Sequence, residues 1–472
     1  MKNTILCVVL LTLPFVRCTP QPPKDFSLQQ LQSDFDLYRK ALEEAHPGLY
    51  RYHSKAQFDS IFDKTRKDLS EVNTVIDFYE RLAPINAFIG CGHTRTLLPQ
   101  GWSKVAKAVE SRLPFEFRVF DGKAIIYKSH INDNDLAPGT QLISIEQTFE
   151  QVANRMLPIF SADGYVTSSR WRDLERNFSI FVQLLVKEDG PYRVELLKPD
   201  GKRIEKEINL INSDAIAKSS ALPDLEFEIL NAPSTAKLTI RSFSGNISDK
   251  NGHGFSTFLR NSFEELHDLK IQNLIIDVRG NGGGRDDYGS LLYSYLTNEP
   301  YSYYSYLEVN KPKFTFLQFT NQSESFMSSL RNSTTEKDGR YFLNEDEHSC
   351  LSIQTPNKPT FNGNVYVLID GRSFSATAEF CAITRFHERA VFIGEETSGG
   401  YEGNNSGGSI LLTLPESKLR LAIPTYKYVS AVDIDKYPKG RGILPHHEVI
   451  PTINGLANGK DEVMDYVLTI IK

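Results

Sequence analysis

Asn273–Gly284 reads NLIIDVRGNGGG, and its first half settles the fold class. Leu274–Ile276 followed by Val278 offers solvent almost no polar face, so the run reads as a strand buried on both sides, as in a parallel sheet covered by helices. Upstream, AKLTIRSF (Ala236–Phe243) leads into a helical pattern from Gly254 to Leu269. Strand, helix, strand is a βαβ unit. The pattern returns at NVYVLIDGRSFS (Asn364–Ser375), a helical stretch Ala376–Phe386 and AVFIGEET (Ala390–Thr397). A mixed, mostly parallel α/β sheet domain is therefore expected over 234–472.

Two further units are expected before it. From Phe26 to Phe88 apolar residues recur near the 3.6 period, with helical stretches over Lys55–Leu69 and Val75–Phe88, giving an N-terminal helical domain over 26–100. Over 111–215 short apolar runs alternate with turn signals. Asp121-Gly122 and Pro199-Asp200-Gly201 each sit between strand-like runs, and a helical insertion falls around Thr148–Leu185. The phrase APGTQLISI (Ala137–Ile145) is similar to the turn and strand of PDZ modules, which bind extended peptides by adding a strand to an edge. The aromatic stretch Tyr301–Pro359, containing YSYYSY, is too long for an ordinary loop and is either a lid or an excursion of its own. A sugar-binding platform is a weaker reading of the same tyrosines.

The chain has 472 residues, consistent with about three domains. Lys plus Arg number 53 against 59 Asp plus Glu, a net charge of −6 that gives no footing for phosphate-backbone binding, so no nucleic-acid partner is expected. Ile5–Val16, behind Lys2, is an apolar run too short to span a bilayer and suited to a secretory signal over 1–18, with a proline-rich linker over 19–25. The mature chain is then expected to be exported, periplasmic or associated with the cell envelope. Cys18 is either the lipid-anchored first residue of a lipoprotein or, beside Val16 and Arg17, an ordinary cysteine. Beyond Cys7 and Cys18 only Cys91, Cys350 and Cys381 remain, an odd number that staples no framework. No HExxH or CxxC spacing occurs, so neither a metal nor a cofactor is expected.

Three segments carry chemistry. VRGNGGG follows a buried strand, where glycines let backbone amides face an anion or a developing oxyanion, although a plain tight turn fits too. In LIDGRSFSATAEF (Leu368–Phe380) a strand and turn lead straight into a helix, with Ser375 at its N-terminus as either nucleophile or helix cap. FIGCGHTRT (Phe88–Thr96) ends the helical region on a loop histidine, His93, a natural general base near neutral pH.

Together DVRGNGGG, SFSATAEF, GEETSGG, KGRGILPHHEV and GCGHT resemble the C-terminal processing (tail-specific) serine peptidases and, among them, the tricorn-core-like branch. The resemblance implies a ClpP/crotonase-like core, a serine-type endopeptidase acting on peptide or unfolded protein, Ser375 as nucleophile, and an oxyanion hole formed by the amides of Gly283 and Ala376. Members with a serine-lysine dyad carry GExxxGK, whereas this chain has Gly400 at the lysine position. The branch relying on a histidine from a GHT segment implies His93 as base, with a supporting carboxylate sought among Glu396, Glu402, Asp433 and Asp435, in that order. The alternative is a catalytically inactive member that binds a peptide or apolar ligand in the cleft between domains.

Overall fold

The computed structural model describes residues 25–214 and 223–471. The expected signal segment and Cys18 lie outside the described residues. Among those described, no helix is long and apolar enough to cross a membrane.

The central sheet runs in the order Leu225–Ile229, Thr235–Ile240, Asn273–Asp277, Asn364–Ile369, Val391–Gly394, His447–Glu448. Its first pair is antiparallel and every later pair is parallel. Leu274 and Ile276 pack with Phe258, Leu259 and Phe380 on one face, while Ile275 packs with Val463 and Val467 on the other. Burial on both faces explains the continuous apolar runs, because neither face of these strands meets water.

The β module is a second sheet, antiparallel, in the order Phe115–Phe120, Lys123–Ser129, Gln141–Ile145, Tyr192–Leu197, Arg203–Ile208. Its first hairpin closes through Asp121 and Gly122, both at positive φ (48° and 74°), the requirement that the Asp-Gly pair meets. Helices Phe149–Met156 and Ser168–Phe181 supply Phe149, Leu174 and Phe178 to a core with Phe117 and Val194.

The N-terminal helices Leu28–Ala45, Lys55–Asp68 and Val75–Ile89 each start with a capping box, from Ser27, Ser54 and Thr74. Their core does not close on itself: Phe35, Phe58 and Phe78 share it with Ile410, Leu412, Leu421 and Ile423 from the far end of the chain. The link is hydrogen-bonded as well as apolar, since Arg95–Leu97 adds to a third sheet by pairing antiparallel with Arg420–Ser430 in the register Thr96↔Leu421. That sheet also absorbs the aromatic stretch. Tyr304–Val309 pairs with Arg420–Ser430, and a hairpin of Thr334–Lys337 and Arg340–Leu343 extends it. Tyr301–Pro359 is thus an excursion with its own strands, and Tyr303 and Tyr304 are buried in the core, where they can serve as no sugar platform.

The shared core makes a prediction. Leu421 is fully buried, so Leu421→Ala should cost about 2–5 kcal/mol. Urea unfolding followed by circular dichroism and by tyrosine fluorescence should show one common transition moved to lower urea; an early transition confined to part of the chain would contradict the shared core.

Candidate active site

The sheet strand Asn364–Ile369 ends where two turns hold each other. Asp370 Oδ1 accepts the Gly280 N–H (2.9 Å) and the Arg372 N–H (3.0 Å), Ser373 Oγ donates to the Val278 carbonyl (2.9 Å), and Phe374 N–H donates to the Asn281 carbonyl (3.0 Å). The glycine turn and the serine turn are therefore one rigid unit at the ends of adjacent parallel strands. Ser375 follows at φ 55°, ψ −129°, and heads helix Ala376–Phe386. Positive φ at a residue with a Cβ is strained, and here the flanking strand and helix impose it. Its side chain makes no capping bond to the helix, so the capping alternative falls away. Gly283 passes so close that a Cβ there would stand 2.7 Å from Ser375 Cβ and 2.8 Å from the Phe374 carbonyl oxygen. Glycine is required by that approach, quite apart from its φ of 95°.

His93 reaches this serine across 282 residues of sequence, its Nε2 lying 3.1 Å from Ser375 Oγ. The ring is held by stacking on Phe374, with centroids 4.5 Å apart and planes at 29°. The turn beneath it is pinned from several directions. Arg95 Nε donates to the Gly92 carbonyl (3.1 Å) and Ser161 Oγ to the Thr94 carbonyl (3.2 Å). His46 Nδ1 accepts the Gly48 N–H (3.1 Å), which leaves Nε2–H to donate to Thr94 Oγ1 at 2.7 Å. Gly92 is fixed by packing: a Cβ there would sit 2.6 Å from Phe374 Cζ. Burial, aided by the nearby Arg95 charge, pushes His93 down to about 3. The imidazole is neutral at pH 7 and its Nε2 can accept the serine proton.

Beneath the same turn lies Asp163, which sequence reasoning did not single out. Its Oδ1 accepts the Gly92 N–H (2.9 Å) and its Oδ2 the Gly400 N–H (3.2 Å). Burial raises it to about 6, against the two N–H donors and Arg51, which favour the anion. A carboxylate oxygen, a His93 ring nitrogen and Cys91 Sγ all lie within 4.8 Å of one another. His93 Nδ1 is buried and makes no hydrogen bond.

Residues 234–449 match the model of peptidase family S41. This segment is an S41 peptidase core. Among solved structures the whole chain is similar to CPAF, a serine-to-alanine form of which superposes with a TM-score of 0.69 at 13% identity, covering 94% of this chain and 97% of that one. Mature CPAF complexed with lactacystin gives 0.64 at 13% identity, with 94% and 98% covered. At this identity the likeness is one of fold. No curated protein matches the sequence. The matched segment is thus of a peptidase family, whose members hydrolyse peptide bonds.

Within the S41 core, three of the four carboxylates expected beside His93 are held elsewhere, and the fourth, Asp435, is exposed. Glu396 is taken up by Arg441 through two bonds (2.8 and 2.7 Å) and by the Gly442 N–H (2.9 Å). Glu402 accepts the Gly440 N–H at 3.0 Å and faces Arg51, while Asp433 pairs with Lys436 and caps a short turn at Asp435. None of the four hydrogen-bonds to His93. Glu396 thus serves an ion pair with Arg441 in place of the orienting role expected of it. At Gly400 a Cβ would meet the Gly403 carbonyl oxygen at 2.9 Å, with Asp163 Cβ at 3.6 Å and Tyr52 Oη at 3.7 Å. The ground a lysine base would need is occupied.

The two expected oxyanion amides differ. Ala376 is the first residue of its helix, so its N–H has no intrahelical acceptor. Gly283 N–H donates to Asn281 Oδ1 at 2.9 Å. Cys91, Cys350 and Cys381 are buried free thiols. The Cys91, His93, Asp163 triplet is the only such metal-capable group among the described residues, and burial raises the Cys91 thiol to about 11.

The strain at Ser375 is testable. Ser375→Gly removes the Cβ penalty and should raise stability by about 1 kcal/mol, whereas Ser375→Ala keeps the penalty and should not. Equal thermal midpoints for the two variants would contradict the strained turn.

Proposed function

We propose that the chain is a serine endopeptidase in which Ser375 is the nucleophile and His93 the general base. The observation that carries this is the 3.1 Å contact between His93 Nε2 and Ser375 Oγ, from segments 282 residues apart, on a strained strand-to-helix turn. As Ser375 Oγ attacks a peptide carbonyl, His93 Nε2 takes its proton and then returns it to the leaving amine. Water hydrolyses the acyl-enzyme by the same route. The Ala376 N–H faces the developing oxyanion, and the Gly283 N–H joins it by exchanging Asn281 Oδ1 for the substrate oxygen; each donor is worth ~3–4 kcal/mol in comparable sites. Asp163 acts as a positioning residue, holding the His93 turn to the Gly400 loop. The substrates are peptides or unfolded proteins. The apolar run Ile5–Val16 supports action after export, at the cell envelope.

A fluorophosphonate probe should label the wild-type protein and not Ser375→Ala, and the alanine variant should lose hydrolysis of an unfolded protein while keeping its circular dichroism. Labelling that persists in the variant would sink the assignment. The depressed His93 value fixes a pH dependence. A base with the ordinary value of about 6.5 is only about 3% unprotonated at pH 5, whereas His93, held near 3, remains almost wholly unprotonated there. Hydrolysis is therefore expected to persist at pH 5, with at most a shallow step near pH 6 from Asp163. That step should vanish in Asp163→Asn, whose kcat should fall by about 10²-fold through misplacement of the base. Complete loss of activity with a midpoint between 6 and 7 in both proteins would overturn the role of the buried neutral imidazole.

A further inference from the structure

A cavity of ≈ 310 Å³ lies between the β module and the serine turn. One wall is apolar, from Leu113, Phe115, Phe117 and Phe178, and the other carries charge. Arg172 and Arg118 on that wall are spoken for. Arg172 meets Glu395 (2.6 Å) and Glu175 (2.6 Å), and Arg118 meets Glu175 (3.2 Å). Arg112, Arg176 and Arg372 line the same cavity, and none of their guanidinium groups has a hydrogen bond or an ion pair among the described residues. They stand apart from Arg39, Arg66, Arg155 and Arg279, each of which has a carboxylate within 3.0 Å. All three are exposed at the mouth. Arg176 is held below the ordinary arginine value chiefly by the charge of Arg372, with Arg112 adding to the effect, so the three repel one another. Glu116 and Asp370 also line the cavity, and Asp173, whose carboxyl burial pushes up against the pull of Arg95, Arg372 and Arg176, makes no ion pair with any of the three.

The edge of the sheet bears on how a ligand would be held. Phe115–Phe120 is the outer strand, but the Leu113 N–H already donates to Ser179 Oγ (2.8 Å) and the Val119 N–H to Glu175 Oε1 (2.7 Å), both from helix Ser168–Phe181. Two donors that an added strand would use are therefore engaged at either end, and charge is left as the main source of attraction. Arg112 and Arg176 belong to the module, while Arg372 lies three residues before Ser375, on the turn that presents the serine. An anion bound by all three would tie the module to that turn.

We propose that Arg112, Arg176 and Arg372 form a carboxylate-binding site that docks an acidic peptide segment beside the serine turn, with an apolar neighbour of that carboxylate seated against Phe115, Phe117 and Phe178. Guanidinium groups match carboxylates through paired N–H donors, and bringing a negative charge among three unpaired cations relieves their mutual repulsion. The carboxylate is that of an Asp or Glu side chain within the segment, and a chain terminus is the competing outcome of the test. The inference rests on the peptidase reading for the meaning of docking, but the binding itself does not need catalysis.

The test uses full-length Ser375→Ala protein and fluorescent peptides of one apolar sequence in three forms: a free C-terminal carboxylate, a C-terminal amide, and the amide with one internal Glu. Anisotropy titrations should give at least tenfold tighter binding for the internal-Glu peptide than for the neutral amide, with the preference shrinking as salt is raised. Tight binding of the free-terminus peptide alone overturns the acidic segment as the occupant. In Arg112→Gln/Arg176→Gln the preference should fall to within twofold, while fluorophosphonate labelling of Ser375 in the same double variant of the otherwise wild-type chain stays at its normal rate. Equal affinity for the three peptides, or a preference that survives the double substitution, overturns the site. If Ser375 fails to label but the carboxylate preference holds and depends on the arginines, the catalytic reading falls and the binding site stands.

Discussion

The structure depends on a short antiparallel pairing between Arg95–Leu97 and the strand Arg420–Ser430. Without it the loop bearing His93 would hang at the end of a helical segment whose core is open on one side. With it, Thr96 is locked opposite Leu421, the apolar residues of three N-terminal helices close over Ile410, Leu412 and Ile423, and the histidine turn is delivered to the ends of the parallel strands. The sheet supplies direction and the helical segment supplies depth. Stacking on Phe374 and the two N–H bonds to Asp163 then remove the remaining freedom of the turn.

The electrostatic character of the site follows from this burial. His93, Asp163 and Cys91 are all driven toward their neutral forms by the same loss of water. For the base role proposed for His93, neutrality is the working state; for the Cys91 thiol, within 4.8 Å of the other two groups, it means low reactivity. A second buried group sits one helical turn beyond the serine. Glu379, raised to about 7, bonds Tyr304 Oη (2.5 Å) and Asn404 Nδ2 (2.6 Å), and Tyr304 in turn reaches Asp286, which pairs with His348. This chain of polar groups ties the serine helix to the aromatic excursion, so that the excursion steadies the helix from below.

Much of this was legible in the sequence, and the limits have physical causes. Parallel strands announced themselves because Leu274–Ile276 and Val365–Ile369 are buried on both faces, and the hairpin at Asp121-Gly122 because only certain residues accept positive φ. Ser375 and His93 stood out through the order of their segments. The supporting carboxylate did not: Asp163 lies in SADGY, where Asp-Gly reads as an ordinary turn, and its value comes from Gly92 and Gly400, which are brought to it only by the folded chain. Glu396 drew attention by lying in GEETSGG, yet Arg441 was the stronger claimant for its charge. The third sheet was hidden for a related reason, since strand partners such as Tyr304–Val309 and Arg420–Ser430 are chosen by long-range packing that no local pattern encodes.

The pairing that opens the site also gives it a clock. His93 is made early, Ser375 comes 282 residues later, and the strand that fixes the histidine turn lies later still, at Arg420–Ser430. During synthesis at ~5–20 residues per second the two halves of the reactive pair are separated by roughly 15–55 s. Throughout that interval the nascent chain carries half a site with nothing to activate. A site arranged in this order is assembled only when the last third of the chain has folded.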